Sequence, residues 1–208
     1  MPVYRFGDMV IDPARYPWGC LQSGQSLQFD GGVRVIVPDH PSLRIGTQDF
    51  KVSAKINISP AIGDSNTIIS KGHTGATEFV FFLVQGRLRF YASGGAIDAW
   101  ADDVATKSSW LDVFFERSGS TGTLSVNGST VKTVSGIGSA DISTTLDISI
   151  GASEVGASRR WIGGISVIDI EIGGSVISKY FFPGSGLLLP DLIGRHDGKI
   201  YPQIWGEI

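Results

Sequence analysis

The stretch GGAIDAWADDVATKSSW, residues 94–110, sets Trp100 among three carboxylates, Asp98, Asp102 and Asp103. An open indole face packs on the apolar side of a sugar ring, and nearby carboxylates accept hydrogen bonds from its hydroxyls, so glycan binding is the chemistry these residues suit. The same residues also fit a plainer arrangement in which Trp100 folds over the edge of a sheet. His40, His73 and His196 lie in separate loops, with no spacing that suggests a shared metal. There is no Gly-x-Ser-x-Gly elbow, no His-x-x-x-His pair and no glycine-rich phosphate loop leading into a helix. The lone Cys20 has no internal disulfide partner and reads as a small buried apolar residue.

Strands must position these side chains. Residues 110–133, WLDVFFERSGSTGTLSVNGSTVKT, alternate apolar and polar positions on either side of two turns. Asn127-Gly128 favours a type I′ hairpin, because both central residues of that turn need positive φ. Three antiparallel strands are therefore expected here. Leu27 and Phe29 open an earlier strand; Val33, Val35 and Val37 form the next, and Val52, Ala54, Ile56 and Ile58 alternate with polar residues. EFVFFLVQGRLRFYA reads as a hairpin turning at Gln85-Gly86, and a long polar loop is expected from Ser93 to Ser109. GGISVIDIEIGGSVISKYFF reads as a strand pair hinged at Gly173-Gly174. There Ile165, Val167, Asp169 and Glu171 are expected on one face and Ile168, Ile170 and Ile172 on the other. Trp110 and Trp161 read as core residues at strand starts. No segment keeps a helical period, so the expected fold is all-β, a two-sheet antiparallel β-sandwich.

The chain has 208 residues, a size that suits one such domain, and 28 glycines, which suits many tight turns. Seventeen Lys and Arg against 20 Asp and Glu leave a net charge of -3, which provides no basic field for a nucleic-acid backbone. No uninterrupted apolar run has the length of a membrane span, and the start has no signal-peptide core, so synthesis in a host cytoplasm is expected. Residues 1–25 are expected to form an extended arm ahead of a sandwich over 26–208. The arm is dense in aromatics without a strand or helix period. Tyr4, Phe6, Tyr16 and Trp18, with Trp205 near the other end, are candidate contacts for a homo-oligomer, a dimer or trimer, or for a particle surface; the alternative is that the arm wraps its own sheet.

The motifs SLQFDG, VPDHPSLRIGTQDFKVSAKI, TIISKG, FLVQGRLRFY, LDISIG, WIGGISVIDIEI and DLIGRHDGKIYPQIWGEI, in this order, resemble the concanavalin A-like jelly rolls and, among them, the laminin-G-like domains. The resemblance implies two curved antiparallel sheets with the first strand near the last. Hydrolases of that family carry a Glu-x-Asp-x-(x)-Glu strand, since retaining cleavage needs two carboxyls about 5 Å apart. Here VIDIE aligns Asp169 and Glu171 but has Val167 where the first carboxylate would stand, so no enzyme activity is expected. The family often binds structural calcium through loop acids. Its usual paired acids read Gly32-Val33-Arg34 here, leaving Asp30 and Asp197 as the best pair, with turn capping as the other reading. The family also includes virion proteins of tailed bacteriophages. The resemblance therefore implies a non-enzymatic virion protein, a capsid decoration or tail-associated subunit with capsid or tail proteins as partners, or alternatively a free lectin-like module that binds polysaccharide.

Overall fold

The computed structural model describes residues 4–6, 9–11, 26–59, 65–72, 79–102, 104, 109–138, 140–153, 159–181, 188–189, 191 and 196–202. In chain order the strands are β1 (Tyr4–Phe6), β2 (Met9–Ile11), β3 (Leu27–Asp30), β4 (Val33–Val37), β5 (Phe50–Ile58), β6 (Ser65–Lys71), β7 (Phe79–Val84), β8 (Arg87–Ala92) and β9 (Ile97–Ala101). They continue with β10 (Trp110–Ser118), β11 (Thr121–Val126), β12 (Ser129–Ser135), β13 (Ile148–Ile150), β14 (Ile162–Ile172), β15 (Ser175–Phe181), β16 (Leu188–Leu189) and β17 (Gly198–Pro202). One sheet runs β12-β11-β10-β5-β14-β15, with β3 beside the first half of β14 and β15 beside its second half. The other runs β16-β17-β4-β13-β6-β7-β8-β9, while β1 and β2 pair with each other in a sheet of their own. Every pairing is antiparallel, and the two large sheets form the expected sandwich.

Period-2 patterning explains the core. β5 buries every second residue from Phe50 to Ile58 against the opposite sheet, as expected where one strand face meets the interior. Phe90 of β8 and Phe115 of β10 stack across the two sheets with centroids 4.1 Å apart. Phe79, Phe81 and Phe50 pack around them at 5.6–5.7 Å from Phe90. The Gln85-Gly86 and Asn127-Gly128 turns both take positive φ at each residue, 50° and 79°, then 49° and 77°.

Two charged side chains are buried between loops. Arg117 donates from Nε to the Gln48 carbonyl at 3.0 Å, from Nη1 to Ala140 at 2.6 Å and from Nη2 to Gly46 at 2.9 Å. Lys71 donates to the carbonyls of Leu43 and Thr144, each at 3.1 Å, and pairs with Asp39 at 2.9 Å. Burial alone would raise the Asp39 pKa, but hydrogen bonds from Arg44 and Lys71 outweigh it and hold the carboxyl below its ordinary value.

Three sequence readings need correction. Residues 97–101, expected within a loop, form edge strand β9, with Ile97, Ala99 and Ala101 turned into the core. Ile165 is fully buried rather than sharing a face with Val167, because a bulge between Ile165 and Val167 shifts the alternation. Trp161 is buried as expected, whereas Trp110 is 38% exposed. Leu111, Val113 and Phe115 face the core, so Trp110 must face out.

Candidate functional site

Half-buried Trp100 and exposed Trp110 occupy the outer faces of different sheets. On the eight-stranded sheet, register places Phe82, Arg89 and Trp100 in one row across β7, β8 and β9, with Asp98 opposite Tyr91. The Arg89 guanidinium lies 3.9 Å from the Trp100 ring centroid and 4.8 Å from that of Tyr91. It also binds Asp98 in a two-pronged pair, Nε to Oδ1 and Nη2 to Oδ2, both 2.8 Å. Arg159 approaches Phe82 at 5.4 Å, extending the row. Asp102 pairs with Arg87 at 2.8 Å, and Asp103 lies outside the described residues. Of the residues expected to bind sugar, Asp98 and Trp100 thus meet around Arg89. One face of the indole carries that cation, and the carboxylate oxygens already accept hydrogen bonds.

On the seven-stranded sheet, register aligns Trp110 of β10, Asn57 of β5, Gly164 of β14 and Gln28 of β3. A Cβ on Gly164 would come within 2.8 Å of Trp110 Cη2, 3.1 Å of Gln28 Nε2 and 3.3 Å of Ser26 Oγ. Adjacent strands are about 4.8 Å apart, so an indole that reaches two strands across must lie along the sheet rather than stand on it. Gly164 leaves the space it lies in. Gly163 has φ +136, and a Cβ there would sit 2.1 Å from the Asn57 carbonyl oxygen, so this strand pair closes only over glycine. Gln28 donates to Ser26 Oγ at 2.8 Å. Beside the ring, Lys55 and Asp112 form an exposed pair at 3.8 Å. Sequence reasoning missed this platform, although the Gly163-Gly164 pair inside an apolar strand was a visible sign of close approach.

Further along the same sheet, a groove of about 500 Å³ is lined by Gln48, Asp49, Lys51, Glu116, Arg117 and Glu171 among others. Register sets Lys51 between Glu116 and Glu171. Asp169 of the VIDIE strand pairs with Lys179 at 3.2 Å.

The proposed calcium pair is not assembled. Asp30 Oδ1 accepts the Gly32 N–H at 2.7 Å as a turn cap, and Asp197 Oδ1 accepts the Asp191 N–H at 3.0 Å. β17 pairs with β4 from Lys199 opposite Ile36 to Pro202 opposite Val33. Asp197 and Asp30 therefore flank opposite ends of β4, about 15 Å apart at 3.3 Å per residue. They do not fit one ion. Of the proposed assembly contacts, Tyr4 and Phe6 lie on β1, paired with β2, and Tyr16, Trp18 and Trp205 lie outside the described residues, as do Cys20 and His73.

A family description, concanavalin A-like lectin/glucanases superfamily, matches residues 29–170. The chain belongs to that superfamily. Its fold resembles a provisionally named carbohydrate binding protein from Bacteroides ovatus (TM-score 0.68, 15% identity), covering 85% of this chain and 57% of that one. It also resembles domains LG4-5 of the mouse laminin alpha1 chain, with TM-score 0.59 and 15% identity over 90% of this chain and 48% of that one. The chain thus spans about half the length of each of these structures. No curated protein matches the sequence. For this superfamily member the sandwich and its laminin-G-like topology follow from both comparisons.

Proposed function

We propose that this protein is a non-enzymatic glycan-binding sandwich whose sugar-binding platform is the Trp110 face. The observation that carries the reading is the indole lying across Asn57 toward Gly164, beside the amides and hydroxyl of Asn57, Gln28 and Ser26. A flat aromatic face offers the apolar contact, and amides both donate to and accept from sugar hydroxyls. Membership of a lectin-containing superfamily supports the class of ligand, as does the carbohydrate-binding name of the Bacteroides ovatus protein. The non-enzymatic part rests on Val167 at the position of the first hydrolytic carboxylate and on the Asp169–Lys179 pair. Titration with a panel of oligosaccharides, read by tryptophan fluorescence, tests the site. Trp110→Ala should weaken the best ligand at least tenfold, and unchanged affinity would overturn the assignment. The Trp100 face is a second reading, supported by the donor-rich Arg89 beside an aromatic ring.

A virion role, as a capsid decoration or tail-associated subunit, fits the arm. β1 and β2 pair with each other and not with a strand of either sandwich sheet, which suits a segment that docks on a second copy or on a capsid or tail protein. Deleting residues 1–24 should leave the sandwich folded and release it from a homo-oligomer or particle. Light scattering and co-sedimentation with particles check this, and an unchanged assembly would remove the arm from the reading.

A further inference from the structure

His40, after β4, and His196, before β17, are 156 residues apart in sequence and meet with ring centroids 4.8 Å apart. Their protons can be assigned from their neighbours. His196 Nδ1 lies 3.0 Å from Asp191 Oδ2. The Asp191 side chain is fully buried, and its carboxylate also receives the His196 and Lys179 N–H groups at 3.1 and 2.9 Å and the Ser178 hydroxyl at 2.8 Å. A carboxylate in that setting only accepts, so Nδ1 carries a hydrogen and Nε2 is the nitrogen turned toward His40. His40 Nδ1 accepts the Ser42 N–H at 3.3 Å, capping the 3-10 turn Pro41–Leu43, so it carries a lone pair, which this long bond would yield to a bound ion. The Ser42 hydroxyl is 2.9 Å from both nitrogens but has one proton to give. His40 Nδ1 and His196 Nε2 nevertheless stand 3.2 Å apart. A positive centre, either a proton or a metal ion, must lie between two imidazole nitrogens at that distance.

We propose that His40 Nδ1 and His196 Nε2 are two ligands of a transition-metal ion, with zinc the best match. Metal–imidazole bonds of roughly 2.0–2.1 Å separated by 3.2 Å subtend roughly 100°, close to the tetrahedral angle. Imidazole nitrogens suit zinc, copper and nickel rather than calcium or magnesium. Asp191 on the far nitrogen of His196 is the outer carboxylate that fixes a ligating imidazole in the correct tautomer. Among the described residues no three His, Cys, Asp or Glu side chains converge. Two imidazoles and the Ser42 hydroxyl are thus the ligands among the described residues, with water able to complete the shell. His40 and Ser42 are exposed, so the ion enters from solvent and exchanges. Bound, it ties the loop after β4 to the segment entering β17.

The test is titration of the full chain, stripped by chelator, with zinc chloride alone, followed by calorimetry and thermal melting. One saturable equivalent per chain and a melting midpoint that rises with zinc are expected. His40→Ala, on an exposed ring, should keep the fold and lose both effects, while Asp191→Asn should weaken binding about 10-fold with both imidazoles intact. No zinc-dependent shift in the wild type would mean that a shared proton fills the gap, and the proposal falls. It also falls if one equivalent still binds to the His40→Ala variant. Neither result bears on sugar binding at Trp110.

Discussion

Trp100 and Trp110 are alike in residue type, both sit on outward positions of strands, and each has acidic neighbours, yet their surroundings treat them in opposite ways. Trp100 faces Arg89 across one strand pair, and the guanidinium that stacks on it is itself held by Asp98. Trp110 faces Asn57 and, beyond it, a glycine. A cation over an indole is worth about 0.5–2 kcal/mol, which a ligand would have to replace before using that ring face. A glycine beneath an indole asks for no such exchange. The ring rests on backbone and keeps its other face in water. The cross-strand partner, more than the tryptophan, decides whether an aromatic on a sheet is internal cement or open surface.

The sharpest way to break this contrast is to force apart the β5–β14 pair on which Trp110 rests. Gly163→Ala would drive a Cβ to within 2.1 Å of the Asn57 carbonyl oxygen. A loss of about 3 kcal/mol or more is expected in urea unfolding, at the upper end for single substitutions. A variant as stable as wild type would show that the β5–β14 pairing is looser than described. Next in size are the indoles themselves. Trp110→Ala should cost a bound oligosaccharide about 1.5–3 kcal/mol with little change in fold, whereas Trp100→Ala should leave affinity alone. Equal losses in both variants would erase the distinction between the faces.

Arg89→Leu gives a smaller effect, about 1 kcal/mol of stability lost with the cation–π and Asp98 contacts. The same variant should make Trp100 fluorescence more accessible to a neutral quencher. Unchanged quenching would mean that Arg89 does not cover the ring. The smallest effect expected near neutral pH concerns Asp39, whose folded pKa is depressed. Its contribution is fully present above the ordinary carboxylate value of about 3.9 and fades as pH falls through the lower folded value. Hydrogen exchange in acid should therefore loosen β6, which carries Lys71, only below about pH 4. Loosening already at pH 5 would contradict the assignment.

Much of the fold could be read in advance because it rests on local rules. Asn127-Gly128 and Gln85-Gly86 have the φ values their turn requires, and Phe50 to Ile58 alternates without error. β9 was hidden because Ala99 and Ala101 are too weakly apolar to register as an inward face beside Trp100 and its acids. Ile165 was misplaced by a bulge, which inserts a residue without any compositional mark. Trp110 was misjudged by residue type, although alternation from Leu111 already pointed it outward. His40 and His196 illustrate the remaining limit. Their meeting depends on β17 lying beside β4, a long-range pairing that no local pattern announces.

Strand β5 sits between β10 and β14. Residues 50–58 leave the ribosome first, and residues 162–172, which complete one side of the strand, follow about a hundred positions later. At roughly 5–20 residues per second of synthesis, that edge stays open for some 5–20 s. During that time an apolar strand with free backbone donors and acceptors is exposed to every other nascent chain nearby. High expression should thus favour edge-to-edge capture between incomplete chains, and slower growth or a chaperone that shields β5 should recover soluble protein.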